Sequence, residues 1–481
     1  MSSVASGGRI VLLSGVPVEV MAGKEEEING SAIRLVCVIA WDEEGMMKVS
    51  STRVGKTYPS FTPDCPQAHL FEREIWEQWN IVPEGHPWLK PVRFHAPYRI
   101  ANPKATPEIG NMDFFQLHGD EVHEVAVGPV HAGVIEPGHF RFQCHGENVY
   151  HLEISLGYQH RGIERAIINA ANKKRVMHYA ETMAGDSTIA HSLACAQIIE
   201  ALKSVAVNPR ALSLRGIALE LERLANHTGD LGALSGDVGF LPTASYCGRI
   251  RGDFLNMSAL LCGSRFGRGM TVPGGVAFNV DEKRVLLLLE RLADACNDVS
   301  GAIGLLFGAP SVMTRFENTG RISRQVCLDF GMVGVAARAC GIRRDARSDF
   351  SSGIYNFVHI PAMVWESGDV FARAFVRWLE IQQSIEFIKS QLSLLSEGEI
   401  AVDTHEPQAG GKAVISLIEG WRGEVCHFAI TGKDGNFIYY KVVDPSFHNW
   451  AGLAMALRGQ QISDFPLCNK SFNLSYCGHD L

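Results

Sequence analysis

Five short stretches of the chain concentrate side chains that carry protons, hold metals or pair charges. GPVHAGVIEPGHFRF contributes His131, Glu136 and His139, and YQHRGIE contributes His160, Arg161 and Glu164. TMAGDSTIAHS contributes Asp186, Ser187 and His191, with the imidazole four residues past the Ser. ARACGIRRDARSD carries Arg338, Arg343, Arg344 and Asp345, and DPSFHNW carries Asp444, Ser446, His448 and Asn449. A buried carboxylate beside a histidine, such as Asp186 with His191, is suited to proton relay or proton-coupled redox chemistry. No metal-ligand spacing is complete. The chain has twelve cysteines and no C-x-x-C pair, whereas thiolate metal and cluster sites draw on closely spaced cysteines. There is also no glycine-rich phosphate loop and no G-x-S-x-G.

Each stretch has a plainer reading. Asp186, Ser187 or Thr188 can cap a helix beginning near Ile189, with His191 a core histidine bonded to backbone. Arg343, Arg344 and Asp345 can form a solvated surface cluster. His160-Arg161 can sit at a helix C-terminus, and Asp444-Pro445 can start a turn.

The elements that must position these residues change character along the chain. Residues 1 to about 60 read as strands and turns, including 9–13 and 33–39. An amphipathic helix is expected around Ala68 to Trp79, then a turn at Pro83-Glu84-Gly85. Ala96 to Asp120, rich in Pro, Asn and Gly, reads as a linker. From Glu121 a strand over 122–127 leads into a small sheet with turns at Pro137-Gly138 and Gly146. Helical periodicity then dominates at 176–183, 189–205, 213–234, 282–305 and 367–395. From Ile415 strands return, with a hairpin turning at Lys433-Asp434-Gly435. The expectation is an α+β protein with a domain over 1–95, a linker over 96–120 and a mostly helical domain over 121–481.

Composition narrows the function. A length of 481 residues with 46% hydrophobic content is ample for a large core. A net charge of −8 gives no basic surface for nucleic acid. No window of 18 uncharged apolar residues is present, so no membrane span is expected. Scattered cysteines and the absence of a clear signal peptide point to a reducing, cytoplasmic setting.

Taken in order, the motifs resemble a known family. GPVHAGVIEPGHFRF, YQHRGIE, RISRQVCLDFGMVGVAARACGIRRDARSDF, GDVFARAFVRWLEIQQSI and EGWRGEVCHF resemble two related proteins. One is the large subunit of membrane-bound, energy-converting nickel-iron hydrogenases. The other is the forty-nine-kilodalton subunit of respiratory complex I. FEREIWEQWNIVPEGHPWLKPVRF resembles the thirty-kilodalton subunit, and fusion of the two is a feature of formate-hydrogenlyase-type enzymes. The resemblance implies a small N-terminal α/β domain followed by a mostly helical hydrogenase-large-subunit-like domain with small peripheral β-sheets.

That family holds nickel with R-x-C-G-x-C and D-P-C-x-x-C. The four thiolate positions here are Ala184, Ser187, Ser446 and Asn449, while Gly185, His191, Asp444 and Pro445 remain. A methyl, two hydroxyls and an amide supply no soft thiolate for a low-valent pair. The resemblance therefore implies no metal and no cofactor bound by this chain. Ala184, Ser187, Asp444, Ser446, His448 and Asn449 are left to line a substrate pocket, with Asp186, His191 and His139 as catalytic candidates. His139 is the nearest candidate for the loop histidine of complex I, and the tyrosine of its quinone pocket falls near Gly185.

The resemblance further implies an oxidoreductase subunit. It would take electrons from iron-sulfur clusters in a small partner subunit and a ferredoxin-like subunit, with His160 and Arg161 facing the partner cluster. Quinone or another acceptor would receive them, coupled to integral membrane ion-translocating subunits. The location implied is peripheral, on the inner face of the cytoplasmic membrane. The NAD label of the family attaches to other subunits, since nothing here suggests a nicotinamide site. The alternatives are an inactive structural coupling subunit or, less in keeping with the ligand positions, a hydrogenase with unusual ligands.

Overall fold

The computed structural model describes residues 2–17, 32–99, 108–132, 135–170 and 172–481. Residues 100–107 of the expected linker lie outside them. The fold is α+β, with small separate sheets around a helical core.

Three antiparallel strands, β1 (Arg9–Pro17), β2 (Ile33–Trp41) and β3 (Met46–Val54), open the chain. β1 is buried along its whole length, as a strand covered on both faces must be. The helix α1 (His69–Trp79) packs on it and ends at Asn80, whose left-handed conformation suits Asn. Val82–Glu84 forms a short parallel pairing with Thr57–Pro59, so the expected turn begins only at Gly85.

A second sheet, β4 (Val122–Val127), β5 (His139–His145) and β6 (Asn148–Ser155), is a meander turning at Gly146. The helical core follows with α2 (Ile163–Ile168), α3 (Lys173–Ala180), α4 (Thr188–Lys203), α5 (Pro209–Asp237), α6 (Leu241–Cys262), α7 (Glu282–Phe307) and α8 (Val370–Ser393). Sequence periodicity does not predict the 22-residue helix α6. Two glycines and several polar residues blur its pattern, and α5 supplies its stability by packing along it.

A third sheet, β7 (Ala413–Glu419), β8 (Glu424–Thr431) and β9 (Phe437–Val443), is followed by α9 (Pro445–Ala456) and α10 (Tyr476–Asp480). Asp444-Pro445 therefore starts a helix, not a turn. α4 crosses β7 and β8 on one side of this sheet. On the other side, the N-terminal strands and α1 share one apolar cluster with Leu417, Cys426, Phe428, Tyr439 and Phe447.

Charges are paired across that second contact. Arg9 forks onto both oxygens of Glu424 at 2.8 and 2.5 Å, Arg344 reaches Asp42 at 2.7 Å, and Lys441 binds Glu74. Arg344 and Asp345 are buried and only Arg343 is exposed, which corrects the expectation of a solvated cluster for the first two. Arg338 spans Glu380 at 2.8 Å and Glu419 at 2.7 Å, and Arg347 chelates Asp345. Charges at this depth persist only when paired with opposite charge.

Among the described residues no single helix is long and apolar enough to cross a membrane.

Candidate functional site

The site lies where α4, the third sheet, α9 and α10 converge. The start of α4 should be capped by its own residues, but Ser187 at the N-cap makes no side-chain capping bond. Glu222, from the middle of α5, accepts the amides of Ile189 at 2.7 Å and Ala190 at 3.3 Å. Burial drives the Glu222 carboxyl up to about 8, against the pull of those two amides. A carboxyl that titrates near neutrality thus sits on a helix N-terminus.

His191 projects from the first turn of α4 into the sheet and is fully buried. Its Nε2 meets Asp444 Oδ2 at 3.1 Å, and its Nδ1 meets His427 Nε2 at 3.1 Å. The other ring nitrogen of His427 meets the Tyr440 hydroxyl at 2.8 Å. β8 and β9 set this last contact by register: His427 pairs with Val442, which places Tyr440 diagonally on the same face.

The result is a continuous buried chain, Asp444–His191–His427–Tyr440. Burial opposes ionisation of Asp444, but the His191 hydrogen bond and charge, with Arg422, outweigh it and hold the carboxyl below its usual range. Burial, reinforced by His191, pushes His427 well down. Burial pushes the Tyr440 phenol well up. A carboxylate, two imidazoles and a neutral phenol in series form a path along which a proton can shift by tautomer exchange. Asp444 also caps α9, since its Oδ1 accepts the Ser446 amide at 2.8 Å.

Asp186 stands apart from that chain. It points to Arg422, which binds both its oxygens at 2.6 and 2.7 Å. Arg422 also donates to the Asn473 carbonyl at 2.6 Å and stacks on Trp421. The Asp186 carbonyl accepts from Trp421 Nε1 at 2.8 Å and Asn226 at 2.9 Å. The turn carrying Trp421 and Arg422 closes at Gly423, whose φ of +141° lets its backbone lie against Gly334. Sequence spacing pairs Asp186 with His191; the structure gives that partner to Asp444, because α9 directs its cap residue into the sheet.

The four positions that the motif resemblance matches to thiolates are filled by ordinary packing. Ala184 is fully buried. Ser187 lies 3.4 Å from an Arg422 nitrogen. Ser446 accepts the Ser475 amide at 2.8 Å. Asn449 binds the Val333 backbone twice, at 3.0 and 3.1 Å. A Cβ placed on Gly478 would come within 2.6 Å of Asp444 Oδ2, so α10 closes directly over the relay. These residues do not fit a nickel-iron centre: none is a thiolate and each polar one is already engaged by protein. The cavity beside Asp186 and Glu222 measures ≈ 20 Å³, which is room for a water and not for an aromatic ring.

The remaining candidates lie elsewhere. His448 faces the N-terminal unit, with its ring edge on Phe71, and burial with Arg9 and Arg344 drives it down to about 3. His139 stays on its own sheet, against Phe114 and 3.4 Å from the Gly128 carbonyl. His160 donates to the Asp480 carbonyl at 2.9 Å and stacks on His95 with ring centres 3.7 Å apart. Arg161 grips the carbonyls of Thr182, Met183 and Cys477, and both residues precede α2 rather than end a helix.

Sequence reasoning misses His427, Tyr440, Arg422 and Glu222. The first and third lie in EGWRGEVCHF, and a histidine within a strand buried at every position is the available signal.

Two family models match this chain. Residues 237–412 match the 49 Kd subunit of the respiratory-chain NADH dehydrogenase, and residues 15–104 match its 30 Kd subunit. The chain thus carries, in one polypeptide, regions that match both complex I subunit families, and its relatives include subunits of membrane-bound hydrogenases and of complex I. Among its relatives, formate hydrogenlyase subunit 5 of Escherichia coli is 28% identical over 435 residues, covering 87% of this chain and 76% of that one. Hydrogenase-4 component G of the same organism is 28% identical over 437 residues, covering 88% and 75%. NADH-quinone oxidoreductase subunit 4 of Thermus thermophilus is 29% identical over 372 residues, covering 72% and 90%.

Proposed function

We propose that this chain is the large-subunit-like component of a membrane-associated oxidoreductase. It takes electrons from iron-sulfur clusters in a small partner subunit, delivers them to quinone or another acceptor, and couples that transfer to ion movement in membrane subunits. The observation that carries this reading is the buried chain Asp444–His191–His427–Tyr440. The thiolates are gone, yet a hydrogen-bonded series of titratable groups still ends at the former metal site. An inert core would replace such a series with apolar residues at little cost, since buried polar groups are expensive to keep. His160 and Arg161 hold the adjoining loop, and on this reading they face the partner subunit.

A second reading, a coupling subunit without turnover, is favoured by the ≈ 20 Å³ cavity. On that reading α10 is a permanent plug over the site.

Photolabelling the purified native complex with an azido-quinone, followed by peptide mapping, separates them. Label on Thr182–His191 that excess quinone competes away supports the first reading. An intact complex with reducible clusters and no such label supports the second.

A further inference from the structure

A cleft of ≈ 250 Å³ runs between the N-terminal unit and the core, lined by none of the four relay residues. Trp88, Phe94, Leu152, Phe330, Trp450 and Met455 give it apolar lining, with Arg73, Glu153 and Arg458 among its charged groups. Two cations border it that have no carboxylate bound to them among the described residues. Arg73 donates to the carbonyls of Lys90 and Pro91 at 2.8 Å each. Arg458 is exposed at the rim. Lys90 is neutralised by Glu153 at 2.8 Å, so the cleft keeps an excess of positive charge. Apolar walls with a few polar groups at fixed points are the general form of a small-molecule site.

We infer that this cleft binds a small organic anion with a planar aromatic body, its charged group held by Arg458 and Arg73 and its ring held between Trp88, Phe330 and Met455. Such a ligand touches both α1 of the N-terminal unit and α9 of the core, so it bridges the two units. The inference is independent of the redox reading above.

The probe is 2-naphthoate, titrated into the full chain by isothermal calorimetry. Saturable 1:1 binding is expected, weakened at least tenfold in Arg458→Glu, whose exposed side chain leaves folding intact. Met455→Trp, which fills the cleft, is expected to abolish it. The neutral analogue 2-naphthol is expected to bind at least tenfold more weakly. The inference is overturned by the absence of saturable binding, by an unchanged affinity in both variants, or by equal affinities for naphthoate and naphthol.

Discussion

Asp186 and Asp444 each stand beside a former ligand pair, and they do opposite things. Asp186 is paired with a guanidinium, which does not lose its proton in proteins, and its side chain is 36% exposed. Asp444 is paired with an imidazole at 3.1 Å and is 1% exposed. The first arrangement is a fixed clamp that ties the loop before α4 to the turn before β8. The second can change protonation state, and it is the one connected to further titratable groups. One half of the site is a structural clamp, and the other holds a series of hydrogen-bonded titratable groups.

The largest expected effect comes from removing the buried member. Asp444→Ala strands His191 and uncaps α9, and is expected to destabilise the protein by about 3–5 kcal/mol in chemical denaturation. Because the folded Asp444 carboxyl is held low, its contribution is present above the unfolded value and is lost as pH falls through the folded one. The difference between wild type and Asp444→Ala should therefore shrink in acid.

Arg422→Ala tests the clamp. It should cost about 2–3 kcal/mol, as for a lost charge-assisted pair that is partly exposed, and Arg422→Lys should recover part of it. Asn449→Ala removes two backbone bonds and should cost about 1–2 kcal/mol.

Glu222 gives a distinct signature, read in pH dependence and not in a single stability value. Its folded value is raised to about 8, so the folded state holds a proton that the unfolded state has released. Stability from this group is fully present below the unfolded value and is lost as pH rises toward 8. Denaturation midpoints of Glu222→Gln measured between pH 5 and 8 should show a flatter decline, the wild-type slope from this group being at most about 1.4 kcal/mol per pH unit.

Much of the fold is legible in the sequence because its strongest elements are periodic. The strands near residues 9–13 and 33–39, the helix over 68–79 and the four long helices between 188 and 393 lie where the patterns put them, while the helix expected at 176–183 begins three residues earlier. What is not legible depends on contacts distant in sequence. Glu222 caps a helix 33 residues before it. His427 and Tyr440 meet His191 only because α4 crosses the third sheet. Arg344 and Asp345 carry as much charge as any surface loop, and only their partners Asp42 and Arg347 explain their burial. The ligand positions are readable from motif spacing, whereas the identity of the carboxylate facing His191 requires the course of α9.

The most direct test of the account is proton uptake by the intact complex on chemical reduction, followed with a pH indicator in wild type, Asp444→Asn and Arg422→Lys. Asparagine keeps an acceptor for the Ser446 amide, so the helix cap survives. The account predicts that Asp444→Asn loses the uptake while the partner clusters still reduce, and that Arg422→Lys behaves as wild type. Full uptake in Asp444→Asn would contradict it.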